Sequence, residues 1–536
     1  MTNPAEPTKS LRVGILDLVT HGPTGSLWAR AMHANLASIM PQVLGVWCRD
    51  DGHDVSFVCY TGLEDLTREL PREIDVLFVG AFTQSAQLAY AVCNLFRGRG
   101  AVTVLGGPHA RCYPQDARKY ADYVLGFTDR EVVREVLEDC RPRRPIGAHL
   151  SADGQPRHLP GVEERWPFIE ATLQKAPAPL RIVPMLGSLG CPYSCDFCID
   201  STVDYEPLSF EQLQSDLRFL LGKFERPRVA FHDPNFGIRF DDYLDAIEEA
   251  VPPGSIDFIA ESSLSLLSEP HLQRLEKNGF KAMLPGIESW FSLGNKSKTR
   301  SVHGREKVDR ISEHLRMVQR YIPYVQANFV LGLDCDHGPE PFELTKRFID
   351  ETPGVFPGFS LLTAFGRAAP LNLEYQREDR VLGFPFHALN NNHAMNVRPK
   401  NYEWPEFYDR VVDLTKHAFS PRAIARRFRA GRNAIPRVLN VLRAVSSEGR
   451  GRIRHHSEVR RRLEDDVDFR AFFEQETDEI PSFYRNRVRE DLGPFWEHLP
   501  DGALRHDPRA YLAAENGNGS ADPGTIELER PGGAEA

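Results

Sequence analysis

No run of about eighteen apolar residues occurs in the chain, so nothing in it reads as a membrane-spanning helix. Met1–Ser10 is polar and lacks the apolar centre of a secretory signal, which makes the cytoplasm the expected location. Cysteine is scarce: of nine in 536 residues, three are clustered and six stand alone. That pattern speaks against a disulfide framework and for a reducing compartment with metal use. Acidic residues outnumber basic ones, 75 to 65, and the net charge of −10 argues against a general nucleic-acid binder. Internal repeats are absent too. What remains, 41% hydrophobic and 26% charged, is the composition of an ordinary globular protein, and the length calls for two to four domains rather than one core.

The clustered cysteines lie in Met185-Leu-Gly-Ser-Leu-Gly-Cys191-Pro-Tyr-Ser-Cys195-Asp-Phe-Cys198, a C-x3-C-x2-C spacing behind an apolar run, Leu180 to Leu186, and a Gly-rich turn. Such a stretch delivers three thiolates to one point from a loop at the end of a buried strand. Three is one short of the four that close a structural zinc or iron–sulfur site. A zinc knuckle would show paired CxxC spacing with a fourth Cys or His; three buried structural cysteines are the other plain alternative. On an iron–sulfur cube, one iron would stay open for an outside ligand. The stretch resembles the signature of the radical S-adenosylmethionine (SAM) enzymes. The resemblance implies a 4Fe-4S cluster on Cys191, Cys195 and Cys198, SAM on the open iron, and Phe197 beside its adenine. It further implies a one-electron reductant such as flavodoxin or ferredoxin. Reductive cleavage of SAM would give a 5′-deoxyadenosyl radical that removes hydrogen from an unactivated carbon.

The fold class expected is α/β: an N-terminal doubly wound, Rossmann-like parallel sheet, a central partial (β/α)6 barrel and a C-terminal helical region. Residues 1–10 read as disordered, 11–145 as the Rossmann-like domain, 146–178 as a Pro/Gly/charge-rich linker, 179–372 as the barrel, 373–515 as mainly helical and 516–536 as a disordered tail. In the first domain, apolar runs at Leu11–Asp17, Asp54–Tyr60, Ile74–Gly80, Ala101–Leu105 and Tyr123–Leu125 alternate with helical patterns, the first from about Ser26 to Arg49. Gly106-Gly107-Pro-His-Ala110 and Thr83-Gln-Ser85 follow two of these runs. They resemble the cobalamin-binding domain often fused to radical SAM cores, which implies contacts to the nucleotide tail from Gly106, Gly107, Thr83 and Ser85. The acidic turn usual there is Gly126-Phe-Thr-Asp129 here, and the DxHxxG signature is missing; Asp51-Gly-His53 reads as a turn.

Six parallel strands are expected in the core, beginning before the cysteines and then at Arg228–His232, Ile256–Glu261, Ala282–Gly286, Val325–Leu333 and Phe359–Phe365, with chemistry at their carboxyl ends. Gly286-Ile-Glu288-Ser289 resembles a segment that lies near the SAM methionine and ribose in this subgroup. Glu261, and Asn328 in the fifth-strand segment that runs to Asp334, are further candidates for cofactor contact. Where many members have Gly-Gly-Glu, this chain has His232-Asp233-Pro-Asn235, and Arg367 stands where a Pro-rich turn is usual, as a candidate for substrate or the SAM carboxylate.

Beyond the core, 384–400 reads as a solvated loop whose polar residues could orient a substrate. Basic residues crowd 416–462, where an amphipathic helix on an anionic membrane surface competes with a solvated, charge-balanced face. The resemblance implies C-methylation of a small-molecule or lipid-like metabolite if cobalamin binds, and radical oxidation, cyclisation or rearrangement if it does not. A methylthiotransferase is disfavoured, since no second cysteine trio and no basic RNA-binding barrel are visible; no nucleic-acid partner is expected. A non-catalytic zinc-binding interaction protein is the rival from outside enzymology.

Overall fold

A computed structural model of the chain describes residues 10–24, 30, 32–142, 147–193, 195–292, 296, 299 and 301–513. Six strands come first: β1 (Arg12–Leu18), β2 (Asp54–Tyr60), β3 (Val76–Ala81), β4 (Val102–Gly106), β5 (Tyr123–Leu125) and β6 (Ala148–Leu150). They pair in the order β2-β1-β3-β4-β5-β6, every pair parallel. Burial of all but the first residue of β1 follows from helices on both faces. Val43 and Trp47 of helix Ile39–Asp50 and Val133 of helix Arg130–Asp139 cover one face. Leu88 and Val92 of helix Ala86–Gly98 cover the other.

Two elements differ from expectation here. The first long helix begins at Ile39, because the Asp17 carboxylate at the end of β1 accepts the Ser38 N–H at 2.7 Å and fixes the chain there. Part of the expected helix, at 25–29 and 31, lies outside the described residues. The stretch read as a linker holds β6 and helix Val162–Leu173. That helix carries Pro167 inside it, yet its packing against helix Ile39–Asp50 and the Val162 N–H bond to Asp216 (2.8 Å) hold it together.

The second sheet begins with β7 (Val183–Met185). A short antiparallel pair follows, β8 (Ser188–Leu189) with β9 (Glu206–Pro207), and brackets the cysteine loop. Then come β10 (Arg228–Phe231), β11 (Asp257–Ala260), β12 (Phe280–Met283), β13 (Gly286–Glu288), β14 (Tyr324–Leu331) and β15 (Phe356–Leu361). All pairings are parallel, β7 to β10, β10 to β11, β11 to β12 and β14 to β15, while β12 and β13 both lie against β14. β12 and β13 are thus one crossing interrupted at Leu284-Pro285, and seven strands make the six expected crossings. No pairing joins β7 to β15 among the described residues, so the barrel is partial. The cap expected at Ser209 is present: its hydroxyl accepts the Gln212 N–H at the start of helix Phe210–Lys223.

The C-terminal region is helical, from Trp404–Ala418 to Ser482–Leu492. The segment read as a solvated loop is instead buried at Phe384, Phe386, His387 and Asn396. Asn396 bonds both the N–H (2.8 Å) and the carbonyl (2.9 Å) of Ala364, tying this segment to the end of the barrel. Among the described residues no helix is long and apolar enough to cross a membrane. Trp290, fully buried beside the end of β13, donates to Thr345 Oγ1 at 2.8 Å and anchors that strand end to helix Glu340–Glu351. Trp290→Ala is expected to cost about 3–5 kcal/mol, read as a lowered thermal midpoint; an unchanged midpoint would contradict this packing.

Candidate active site

The cysteine loop leaves β7 through Gly187 and Ser188, and the end of β10 holds it there. Buried Asp233 accepts the Gly187 N–H at 2.9 Å and the Ser188 hydroxyl at 2.7 Å. Next along the sheet, Asn235 bonds the Ser263 hydroxyl and N–H, both at 2.8 Å, which couples the end of β10 to the segment after β11. Gly190 has φ +64, and a Cβ there would overlap the Val203 and Asp204 carbonyls, so only glycine makes this turn. Beyond it the loop is pinned from three sides. Arg111 of the first domain donates to the Ile199 carbonyl (2.7 Å) and Asp200 (3.2 Å), Tyr193 meets Ser265 (2.7 Å), and the Leu371 N–H reaches the Asp196 carbonyl (3.1 Å).

Cys195 is buried, and Cys191 and Cys198 are half-buried. Burial pushes the Cys195 thiol up to about 11, against the pull of the Lys296 ammonium nearby. The trio is not among the described groups whose three donor atoms lie within 4.8 Å of one another.

Glu288 ends β13 at φ +65, unusual for a residue with a side chain. Its carboxylate folds back over Gly286, where a Cβ would overlap it, and takes an ion pair from Lys296 at 2.8 Å. Burial works against the Lys296 charge, but Glu288 and the Cys195 and Cys198 thiols together hold its pKa above the ordinary value. Glu261, exposed to the open space at the end of β11, also belongs to this group: crowding by surrounding protein raises its carboxyl pKa, with Lys296 opposing and Glu288 adding to the rise. The structure therefore gathers Cys195, Cys198, Glu261, Gly286 and Glu288 around one ammonium that the sequence did not point to.

Other candidates stand apart or are already engaged. Ser289 is buried, receives Lys307 Nζ on its carbonyl (2.6 Å) and binds the Phe291 N–H. Asn328 accepts from Gln326 (2.6 Å) on the half-buried face of β14. Phe197 packs, half-buried, against the core. Asp334 is clamped by Arg380 at 2.6 and 2.8 Å, and Arg367 is exposed near His149.

Between the two domains lies a cavity of about 630 Å³. One wall is formed by carboxyl ends of the first sheet, Gly80–Phe82, Gly106–Pro108 and Leu125–Thr128. The other is the barrel's: Leu186, Ser188–Gly190, Ile199, Asp200, His232 and Pro234. Leu36 and Phe82 line it with 54% and 45% of their surface uncovered, so apolar area faces an interior space. His232 also opens onto it, and burial away from bulk solvent lowers its pKa. A broad, mainly apolar cavity floored by bare backbone at Gly80, Gly106 and Gly107 fits a large flat cofactor such as a corrin. Thr83 and Ser85 are buried beneath this wall, and Phe82 and Gln84 stand in it. Asp129 caps helix Arg130–Asp139, and Asp51-Gly-His53 is a turn held by Arg130 and Arg134.

Among the described residues, one group has donor atoms close enough for a metal: His21, His387 and Asp491. Its carboxylate already accepts from His387 (2.9 Å) and Arg487 (2.7 Å), with His21 at 3.7 Å, which makes it a hydrogen-bonded clasp between the segment around His387 and helix Ser482–Leu492.

No established family profile matches this chain. It is 23% identical to bacteriochlorophyllide d C-12(1)-methyltransferase of Chlorobaculum tepidum over 66% of this chain and 76% of the relative. It is 25% identical to hopanoid C-2 methylase of Rhodopseudomonas palustris over 66% of each. In fold it is similar to the cobalamin-dependent SAM radical enzyme OxsB, with a TM-score of 0.53 at 11% identity, covering 94% of this chain and 84% of that one. It is also similar to the radical SAM methyltransferase TsrM of Kitasatospora setae, at 0.50 and 15%, covering 68% and 76%. The chain thus has the fold of radical SAM enzymes, several of them cobalamin-dependent.

Burial pushes the Asp233 carboxyl up to about 6. A raised acid favours the protonated fold, so its contribution is complete below the ordinary carboxyl range and lost as pH rises through about 6. Asp233→Asn, uncharged throughout, should flatten the pH dependence of stability between about pH 4 and 6. Asp233→Ala should speed amide exchange across residues 186–203. Exchange matching the parent would contradict the role given to this carboxylate.

Proposed function

We propose that this chain is a radical SAM enzyme that methylates carbon in a small, largely apolar ring compound. The observation that carries the reading is the cavity between the two sheet edges, which opens directly onto the cysteine loop. Cys191, Cys195 and Cys198 would hold a 4Fe-4S cluster; Glu288, Lys296 and Glu261 would meet SAM; and Gly80, Gly106 and Gly107 would seat cobalamin. Bound there, these groups would supply one-electron cleavage of SAM and a methyl donor to carbon. The chain's own part is to position and to exclude water. Lys296 compensates negative charge near Cys195 and Cys198, and the apolar walls keep solvent from a reactive carbon centre. The Glu288–Lys296 pair must open or share its hydrogen bonds when a zwitterionic amino acid group binds, offering a carboxylate to its ammonium and an ammonium to its carboxylate.

Support for methyl transfer comes from the relatives, whose names all describe methylation at a numbered carbon, of bacteriochlorophyllide d or of a hopanoid. Anaerobically reconstituted protein with a reductant, SAM and an apolar substrate extract is expected to release both 5′-deoxyadenosine and S-adenosylhomocysteine and to add labelled methyl to product. Cys195→Ala should abolish both. 5′-Deoxyadenosine without the second product would favour the oxidation or rearrangement reading, and undiminished activity in Cys195→Ala would overturn the cluster assignment.

A further inference from the structure

Helix Ala434–Val445 is turned inside out. At 100° per residue, Pro436, Asn440 and Ala444 share one face and are buried. On the opposite face Ile435, Val438, Leu442 and Val445 fall within an arc of about 80°, and they are 76%, 52%, 48% and 41% exposed. Phe428, on helix Pro421–Ala430, extends the same patch, and an open groove separates the two helices. Ten large apolar side chains are exposed among the described residues, and half of them lie between 428 and 445. Such concentration on a soluble chain marks a surface that something covers.

The charge around the patch selects the occupant. Several arginines of the 416–462 stretch serve the fold: Arg427 and Arg452 are buried on backbone carbonyls, Arg443 binds Glu448, and Arg460, Arg461 and Arg462 pair with acidic neighbours. Lys416, Arg422, Arg429 and Arg450 are exposed and make no ion pair among the described residues, and three of them line the groove. A chain of net charge −10 therefore carries a locally cationic rim around its largest apolar stripe. A second copy docked symmetrically on this face would set cation against cation. Apolar side chains flanked by unpaired Lys and Arg match the acyl–headgroup boundary of an acidic membrane leaflet. We propose that helices Pro421–Ala430 and Ala434–Val445 form the docking face of this protein for an anionic lipid bilayer. This assignment stands on the surface alone and is independent of the reaction proposed above.

The test is flotation of the full chain with vesicles of phosphatidylcholine alone or mixed equally with phosphatidylglycerol. Binding to the mixed vesicles, weak binding to phosphatidylcholine, and weakening by salt are expected. Ile435→Glu with Leu442→Glu, both solvent-facing, should abolish flotation without moving the thermal midpoint. Arg429→Gln with Arg450→Gln should weaken it about thirtyfold, on roughly 1 kcal/mol per cation. No flotation with the mixed vesicles, or flotation untouched by Ile435→Glu with Leu442→Glu, would overturn the proposal. So would a stable dimer that those variants dissociate, or binding to an acidic polypeptide through Arg429 and Arg450 in place of lipid.

Discussion

A parallel sheet gathers the carboxyl ends of its strands on one edge, and in this protein two such edges face each other. Nearly every feature of the candidate site depends on that constraint. The cysteine loop begins where β7 ends, the Glu288–Lys296 pair where β13 ends, and the cavity's far wall is made of the turns after β3, β4 and β5. Side chains remote in sequence therefore meet without long excursions of the chain. Arg111 crosses from the first domain to brace the cysteine loop, and Asp233 braces it from the second strand of the barrel.

The electrostatics of the site are built around one ammonium. Three thiols and two carboxyls in a shielded space would resist carrying charge together. Lys296 offsets that resistance for Cys195, Cys198, Glu261 and Glu288 at once. Gly286 is part of the same device, since the absence of a side chain there is what lets Glu288 fold back onto its partner.

Much of this was legible in the sequence, and the rest was not for identifiable reasons. β2 and β5 match their apolar runs in full, and the order of barrel crossings follows the alternation of strand and helix patterns. The cysteine spacing is a local signal and needed no tertiary information. Lys296 lies in a polar stretch of sequence with no periodicity, so only its partner 8 residues away, across a strand end, gives it meaning. β6 is three residues long, and helix Val162–Leu173 contains a proline; both exist because neighbours bind them, which local propensity does not report. The segment around His387 and Asn396 reads as solvated by composition, but the Asn396 amide is spent on backbone groups of the barrel's end and the Asn390 amide on Gln84 of the first domain. The amphipathic pattern of residues 434–445 was readable, whereas the direction its apolar side faces was not.

The central claim is that two facing sheet edges enclose an iron–sulfur centre and a corrin. Its most direct test is the iron and cobalt content of the chain after anaerobic purification from cobalamin-fed cells. The account predicts about four irons with near-stoichiometric cobalt, and loss of the iron but not the cobalt in a Cys191, Cys195 and Cys198 triple alanine variant. Zinc in place of iron, with no cobalt retained, would contradict it.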